Sequence, residues 1–298
     1  MNQHFASYLE PQTIEPGCLY VIATPIGNLA DMSPRAIGIL AQVDLIAAED
    51  TRTLSQLLSH FDLRRPSTAL HDHNEADKVP ALIEQLHNGS AIALVSDAGT
   101  PLVSDPGFRL VQAAQVEGIK VSPVPGACAP IAALSALGLP TDRFAFEGFL
   151  PAKGAAREKR LQSIAAMTMT VVLFEAPHRI DRLVDECIAI YGEQHRCGFA
   201  REITKTFETI KQLNLGELRD WLASDANQRK GEMVLVLAPK QLETEGGLSQ
   251  SSIDQDKLAD LLLAELPATK VAKILAKLTG GKKQALYREL LEKTGQTE

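Results

Sequence analysis

Short apolar, β-branched runs alternate with helix-periodic stretches along the first 140 or so residues, and the runs end in loops of Gly, Pro, Thr and acidic residues. The run over 18–23 reads as a buried strand that stops at Thr24-Pro-Ile-Gly-Asn-Leu29. Ser33 and Pro34 then supply an N-cap and a first-turn proline for a helix to residue 43. A second strand over 43–48 meets Glu49-Asp-Thr-Arg52 ahead of a helix over 53–61. A third over 67–70 meets His71-Asp-His-Asn-Glu75, which is expected to cap a helix to 86. The strand over 90–95 runs into Ser96-Asp-Ala-Gly-Thr-Pro-Leu-Val-Ser-Asp-Pro-Gly107, the loop around which the chain is organised. A tight turn follows Asp97, and Asp105-Pro106 is expected to cap the helix over 107–117. A strand over 120–124, the turn Pro125-Gly126 and an Ala-rich helix stopping at Gly138 complete an alternation that predicts a mostly parallel, helix-covered sheet.

The second half changes character. A strand over 144–149 precedes the basic stretch from Lys153 to Arg160, which leads into a helix, and a strand over 169–174 ends at Glu175-Ala-Pro-His-Arg179. A helix from Pro177 to Tyr191, strands over 196–200 and towards 213, a helix over 216–223 and a strand over 233–237 suggest a mixed sheet. A polar, Gly/Ser-rich linker separates three short helices over 256–266, 267–278 and 282–293, with Lys270, Lys273 and Lys277 on one outer face. The expected organisation is a tail over 1–17, α/β domains over 18–138 and 139–239, a linker over 240–255 and a basic helical module over 256–298.

Composition narrows the function. The 298 residues are 45% hydrophobic, enough for proper cores. A formal net charge of −7 confines nucleic-acid contact to local patches. The candidates for phosphate contact are Arg157, Lys159, Arg160, Lys270, Lys273, Lys277, Lys282, Lys283 and Arg288. Cys18, Cys128, Cys187 and Cys197 form no C-x-x-C pair and read as reduced core residues of a cytoplasmic protein. Residues 1–17 lack a leader pattern, and no run is long enough to span a bilayer, so no membrane partner is expected. The histidines, His71 and His73 among them, lack zinc spacing, and no metal is expected. No G-x-G-x-x-G follows the first strand, which speaks against a nicotinamide enzyme.

Loops at the carboxyl ends of parallel strands share one side of a sheet. Turn amides, the Asp97 carboxylate and the close backbone approach that Gly99 allows suit a held, charged ligand. Glu49, Asp50, Glu175, His178 and Lys205 are the acid–base candidates, with Glu49 and Glu175 first because each ends a strand at the cleft. Salt bridges to Arg52 or Arg179 are the structural alternative for these carboxylates, and Lys205 can neutralise a phosphate or shift a neighbouring carboxylate.

Seven stretches then fall into a recognisable order: Tyr20-Val-Ile-Ala-Thr-Pro-Ile-Gly-Asn-Leu29, Ala48-Glu-Asp-Thr-Arg52, the loop over 95–107, Val124-Pro-Gly-Ala127, Glu175-Ala-Pro-His-Arg179, Arg201-Glu-Ile-Thr-Lys205 and Lys230-Gly-Glu232. Together they resemble the signature set of the tetrapyrrole methylase superfamily, in the branch that modifies small-subunit ribosomal RNA. The resemblance covers about 18–239, and the basic tail is similar to that branch's extra C-terminal domain. It implies two α/β domains with S-adenosylmethionine bound in the cleft between them, usually in a homodimer, and 2′-O-methylation of a cytidine in the decoding region of 16S ribosomal RNA. By the same resemblance the cofactor would lie against Pro25, Ser96, Asp97, Gly99, Thr100 and Val103, with Cys128 behind the Pro-Gly turn. Phe174, Glu175, Ala200, Arg201, Gly231 and Glu232 would close the other side. The first loop departs from the superfamily's G-x-G-x-G-D, which weighs against a small tetrapyrrole-like substrate. A non-catalytic RNA-binding assembly factor is the remaining alternative and predicts no cofactor binding.

Overall fold

Ile92, Ala93, Leu94 and Val95 are buried without exception, because strand β4 (Ile92–Val95) has a core on each face. Ala93 and Val95 pack with Cys18, Tyr20, Ile22 and Ile46, whereas Ile92 and Leu94 pack with Leu82, Leu86 and Leu110 on the other side. That two-sided burial is why the run is continuously apolar rather than alternating. In the computed structural model, which describes residues 13–240, 255–264, 266–279, 281 and 283–294, β4 lies at the centre of a five-stranded sheet. Its companions are β1 (Leu19–Ile22), β2 (Leu45–Ala48), β3 (Ser67–Ala69) and β5 (Val121–Val124), in the order β3-β2-β4-β1-β5. Every pairing is parallel, as the strand–helix alternation predicts. The intervening helices are α1 (Pro34–Leu40), α2 (Thr51–His60), α3 (Glu75–His87), α4 (Phe108–Val116) and α5 (Ala129–Leu137).

One expectation is overturned at the start of α4. Its N-cap is Gly107, in the left-handed region at φ 117°, and Asp105 does not cap it. The free amides of Arg109 and Leu110 donate instead to the buried Glu75 carboxylate on α3, at 2.8 and 3.2 Å. A long-range acceptor satisfies the helix end, and Asp105 is left to face elsewhere. A side chain at Gly107 would also meet Leu94 Cδ2 at 2.7 Å, so this turn admits only glycine.

The second sheet consists of β6 (Phe144–Phe149), β7 (Thr170–Glu175), β8 (Arg196–Arg201), β9 (Thr209–Asn214) and β10 (Met233–Leu237), in the order β6-β7-β10-β8-β9. Only β6 and β7 are parallel, so the sheet is mixed. Met233 consequently stands opposite both Glu175 and Arg201, and the carboxyl ends of β6, β7 and β8 share an edge with the amino end of β10. Helices α6 (Ala155–Ala165), α7 (Ile180–Tyr191) and α8 (Leu215–Ser224) cover one face. Pro177 opens a short 3-10 turn ahead of α7 rather than the α-helix itself. The other face is covered by α5, whose Ala133, Leu134 and Leu137 pack on Val172, Ala200, Val234 and Val236. Gly198 permits this, since a Cβ there would lie 2.7 Å from Leu137 Cδ1.

The chain divides into two compact units, Met1–Lys240 and Gln241–Glu298. The second contains α9 (Gln255–Leu263), α10 (Ala268–Thr279) and α11 (Lys283–Thr294) around Val271, Ala272, Leu275, Leu286 and Leu290. No helix among the described residues is long and apolar enough to cross a membrane.

Candidate active site

Four loops at the carboxyl edge of the first sheet are tied to one another by hydrogen bonds. Thr24 and Gly99 exchange two hydrogen bonds of 2.8 and 3.0 Å, and the buried Thr24 hydroxyl donates to Ser96 O at 3.2 Å. The Thr100 hydroxyl donates to Ala127 O at 3.0 Å, which brings in the loop after β5. The loop after β2 joins through reciprocal bonds: Asp97 N donates to Glu49 Oε2 at 3.2 Å, and Asp50 N donates to Asp97 Oδ1 at 3.1 Å. Leu102 and Ser104 here, with Glu202 and Thr204 in the facing loop after β8, hold positive φ angles of 71°, 70°, 51° and 67°. Such strain costs roughly 1–3 kcal/mol per residue and concentrates where a site is built.

Between these loops and the shared edge of the second sheet lies a cavity of about 680 Å³, within the roughly 300–1,000 Å³ typical of small-molecule sites. One wall carries Ile26, Glu49, Cys128 and the loop from Asp97 to Asp105; the other carries Phe149, Phe174, Glu202, Ile203, Lys205, Gly231 and Glu232. The first wall is acidic. Burial raises the Glu49 carboxyl, helped by repulsion from Asp97, Asp72 and Asp50, and it raises Asp97 likewise. Asp105 is pushed up to about 6 by burial and by Glu49 and Asp97. Carboxylates that resist ionising together favour a cationic guest, which relieves their repulsion. Asp50 is the exception, held at about 2 by its bonds to Arg52.

The opposite wall is pre-paired. Lys205 Nζ sits 3.0 Å from Glu202 Oε1 and 2.9 Å from Glu232 Oε2. Burial alone would lower the Lys205 ammonium, but these two carboxylates outweigh it and raise it. A lysine held charged is no base at neutral pH, which corrects that part of its expected role. Burial likewise acts to raise Glu202, yet the Glu232 amide and Lys205 bring it down on balance. A Cβ at Gly27 would collide with the Lys205 chain and one at Gly231 with Glu202, so these glycines let the loops close on the pair.

Of the residues expected around a cofactor, Asp97, Gly99, Thr100, Val103, Cys128, Phe174, Glu175, Gly231 and Glu232 border the cavity. Pro25, Ser96, Ala200 and Arg201 do not: Pro25, Ser96 and Ala200 are buried, and Arg201 is spent on the carbonyls of Asn227, Lys230 and Phe207. Glu175 is not available as a base. Its side chain is 0% exposed, with Oε1 at 2.9 Å from Arg179 Nε and Oε2 at 3.2 Å from Arg157 Nη2. Arg157 is therefore no phosphate contact either; it is buried, and it also bonds Glu186 at 2.7 Å and Pro151 O at 3.1 Å. Lys159 is exposed, while Arg160 is ion-paired with Glu147. Lys270, Lys273, Lys277, Lys283 and Arg288 are exposed on α10 and α11, and Lys282 lies outside the described residues. His178 sits in the 3-10 turn after β7. Among the described residues, no group of three or more His, Cys, Asp or Glu is arranged to hold a metal ion. The sequence reading missed Ser104, Asp105, Phe149, Glu202 and Ile203; the two non-glycine strained loops carry most of them, and strain leaves no mark in sequence pattern.

Two sheets, one parallel and one mixed, meeting edge to edge around a cleft with one acidic wall define the class of protein. The chain belongs to the tetrapyrrole methylase family: the family model described as Tetrapyrrole (Corrin/Porphyrin) Methylases matches residues 18–219, and a second, the RsmI C-terminal HTH domain, matches 249–294. More particularly, it is 50% identical over 282 residues to the ribosomal RNA small subunit methyltransferase I of Pseudomonas aeruginosa, covering 94% of this chain and 99% of that protein. It is 50% identical to the protein of the same name from Haemophilus influenzae, over 91% of this chain and 95% of the relative. Among solved structures the fold matches the methyltransferase CobJ with TM-score 0.57 and 19% identity over 77% of this chain and 97% of that one. It also matches a Thermus thermophilus uroporphyrin-III C-methyl transferase complexed with S-adenyl homocysteine, with TM-score 0.51 and 16% identity over 73% and 96% of the two chains.

Proposed function

We propose that this protein transfers a methyl group from S-adenosylmethionine to the 2′-hydroxyl of a cytidine ribose in the decoding region of small-subunit ribosomal RNA. The observation that carries the donor is the acidic wall: Glu49, Asp97 and Asp105 border one cavity, and each has its carboxyl raised. Such a wall suits a ligand bearing a sulfonium and an ammonium. Gly99, Thr100, Val103, Cys128, Phe174, Gly231 and Glu232 would hold the rest of the donor, with Pro25, Ser96, Ala200 and Arg201 supporting them. The bound donor supplies an electrophilic methyl group for in-line displacement. The protein's part is to place the hydroxyl, keep water out and take up a proton.

Glu49 is the residue for the proton, since its carboxyl lines the cavity, is fixed by the Asp97 amide and is raised by burial and by the neighbouring Asp97, Asp72 and Asp50. The relatives' printed names support small-subunit ribosomal RNA as the substrate and the HTH match supports a nucleic-acid contact; the cytidine 2′-hydroxyl is what the resemblance of the sequence motifs implies. The domain limits 18–138, 139–239 and 256–298 belong to the same proposal, as do a homodimer and a cytoplasmic location; the free cysteines Cys18, Cys187 and Cys197, all buried, favour a reducing compartment.

The test is calorimetry with S-adenosylmethionine followed by methyl transfer to small ribosomal subunits and nuclease mapping. A ribose-methylated cytidine is the expected product; cofactor binding with no RNA methylated would overturn the substrate, and no binding would favour the assembly factor. Truncation after Lys240 should leave cofactor affinity within about twofold, because Met1–Lys240 is a compact unit that contains every residue assigned to the donor. The truncated chain should bind RNA more weakly and with a shallower salt slope, since each lost phosphate contact removes about 0.9 (duplex) or 0.7 (single strand) from that slope. Equal RNA affinity across a salt series would exclude α10 and α11 from recognition.

A further inference from the structure

Strand β6 contains a register shift between Phe146 and Gly148: Phe146 pairs with Val172, Gly148 with Leu173 and Phe149 with Phe174. Simple alternation would put Phe146 and Phe149 on opposite faces of the sheet. The extra residue brings both to the face of Val172 and Phe174, which is how bulges re-aim side chains next to sites. Gly148 makes the bend at φ 61°, and a Cβ there would fall 2.9 Å from Ser104 Oγ, so the bulge is seated on the loop after β4. Two arginines hold the following chain, the half-buried Arg179 bonding Leu150 O at 2.7 Å and the buried Arg157 bonding Pro151 O at 3.1 Å.

The result is a braced aromatic row at the cavity. Phe174 meets Phe146 edge-to-face at 5.0 Å and Phe149 at 5.5 Å. Phe149, the last of the row, borders the cavity and leaves 56% of its surface exposed. Exposed basic side chains follow it, at Lys153 and Lys159. A largely exposed, braced ring, followed along the chain by cations and set at a cavity that must receive a ribose, has the chemistry of a base-stacking platform.

We infer that Phe149 stacks on the nucleobase of the target nucleotide and holds it out of its strand while the ribose enters the cavity. This rests on the RNA substrate proposed above. A ribose inside a stacked strand cannot reach into a recessed site, so the nucleotide must be unstacked, and an aromatic face replaces part of the stacking lost. Phe149 is thus a positioning residue, with no part in proton or methyl transfer.

The test compares full-length Phe149→Leu, Phe149→Ala and Phe149→Trp proteins in methyl transfer to small ribosomal subunits from cells lacking this enzyme, with cofactor affinity measured by calorimetry. The leucine and alanine variants should lose about 10- to 100-fold in kcat/KM for the subunits. The tryptophan variant should stay within about threefold of wild type, and the cofactor Kd should stay within twofold in all three. A leucine variant as active as the tryptophan variant overturns the inference, because bulk apolar contact would then suffice. A cofactor Kd that rises in step with the loss of activity also overturns it and makes Phe149 a wall of the donor site. If the wild-type protein methylates no small-subunit RNA, the proposed substrate fails and the platform with it.

Discussion

Arg157→Met should lower the stability of the protein by about 3–5 kcal/mol, the usual effect of removing one partner from a buried ion pair. The Arg157 side chain is 1% exposed and bonds Glu175, Glu186 and the Pro151 carbonyl. Its loss leaves Glu175 with Arg179 as its remaining ion-pair partner and the Ala176 amide as a donor. Urea denaturation checks this, and a change under 1 kcal/mol would show that the cluster contributes little. Lys159→Ala, one helical turn or less away but exposed, should stay within about 0.5 kcal/mol. The double variant Arg157→Met/Glu175→Gln should lose less than the sum of its single changes, because the second removes the charge that the first strands. The cluster also anchors the chain just beyond Phe149, so partial loss of activity is expected at temperatures where the variant is still folded.

Glu49→Gln should reduce kcat for methyl transfer by roughly 10²–10⁴-fold, the range that a positioned general base contributes. The cofactor Kd should change far less in this variant, because the amide can still accept from Asp97 N. Asp97→Ala should do the reverse, weakening cofactor binding while leaving the protein folded; unchanged binding by calorimetry would remove Asp97 from the donor site. The pH dependence follows from the direction of the shifts. Glu49, Asp97 and Asp105 all have raised carboxyls, Asp105 at about 6. As pH falls through that range they take up protons, the wall loses negative charge, and both the affinity for a cationic donor and the fraction of Glu49 in basic form decline. The acid limb of kcat/KM should therefore lie above the ordinary carboxylate range, and Asp105→Asn should change its shape. A limb at the ordinary carboxylate range would contradict the acidic wall. Stability from Asp105 runs the other way: a group that binds its proton more tightly when folded favours the folded state most below its unfolded value, and this is lost as pH rises through about 6.

Much of this architecture was legible in the chain. The continuous apolar run at β4, the caps at Ser33 and Gly138, and the turn chemistry after each strand are local signals, and the elements follow them. The loops that border the cavity were equally legible, because parallel strands send their carboxyl ends to one edge. Partnership was not. Arg157 sits in a basic, helix-forming stretch that reads as a solvated face, yet α7 and β7 bring Glu186 and Glu175 against it. Asp105 precedes a proline in the manner of a cap, yet Glu75, more than thirty residues upstream, takes the amides of α4. Phe149 alternates as an ordinary strand residue until the bulge turns it towards the cavity.

The sequence by itself determined which segments are strands, helices and turns, and which chemical groups stand at strand ends, since these depend on neighbours a few residues apart. Only the tertiary structure decided which charges are spent on one another and which remain free to meet a ligand. That choice depends on which distant segments pack together, since burial and pairing are set by the whole surrounding shell.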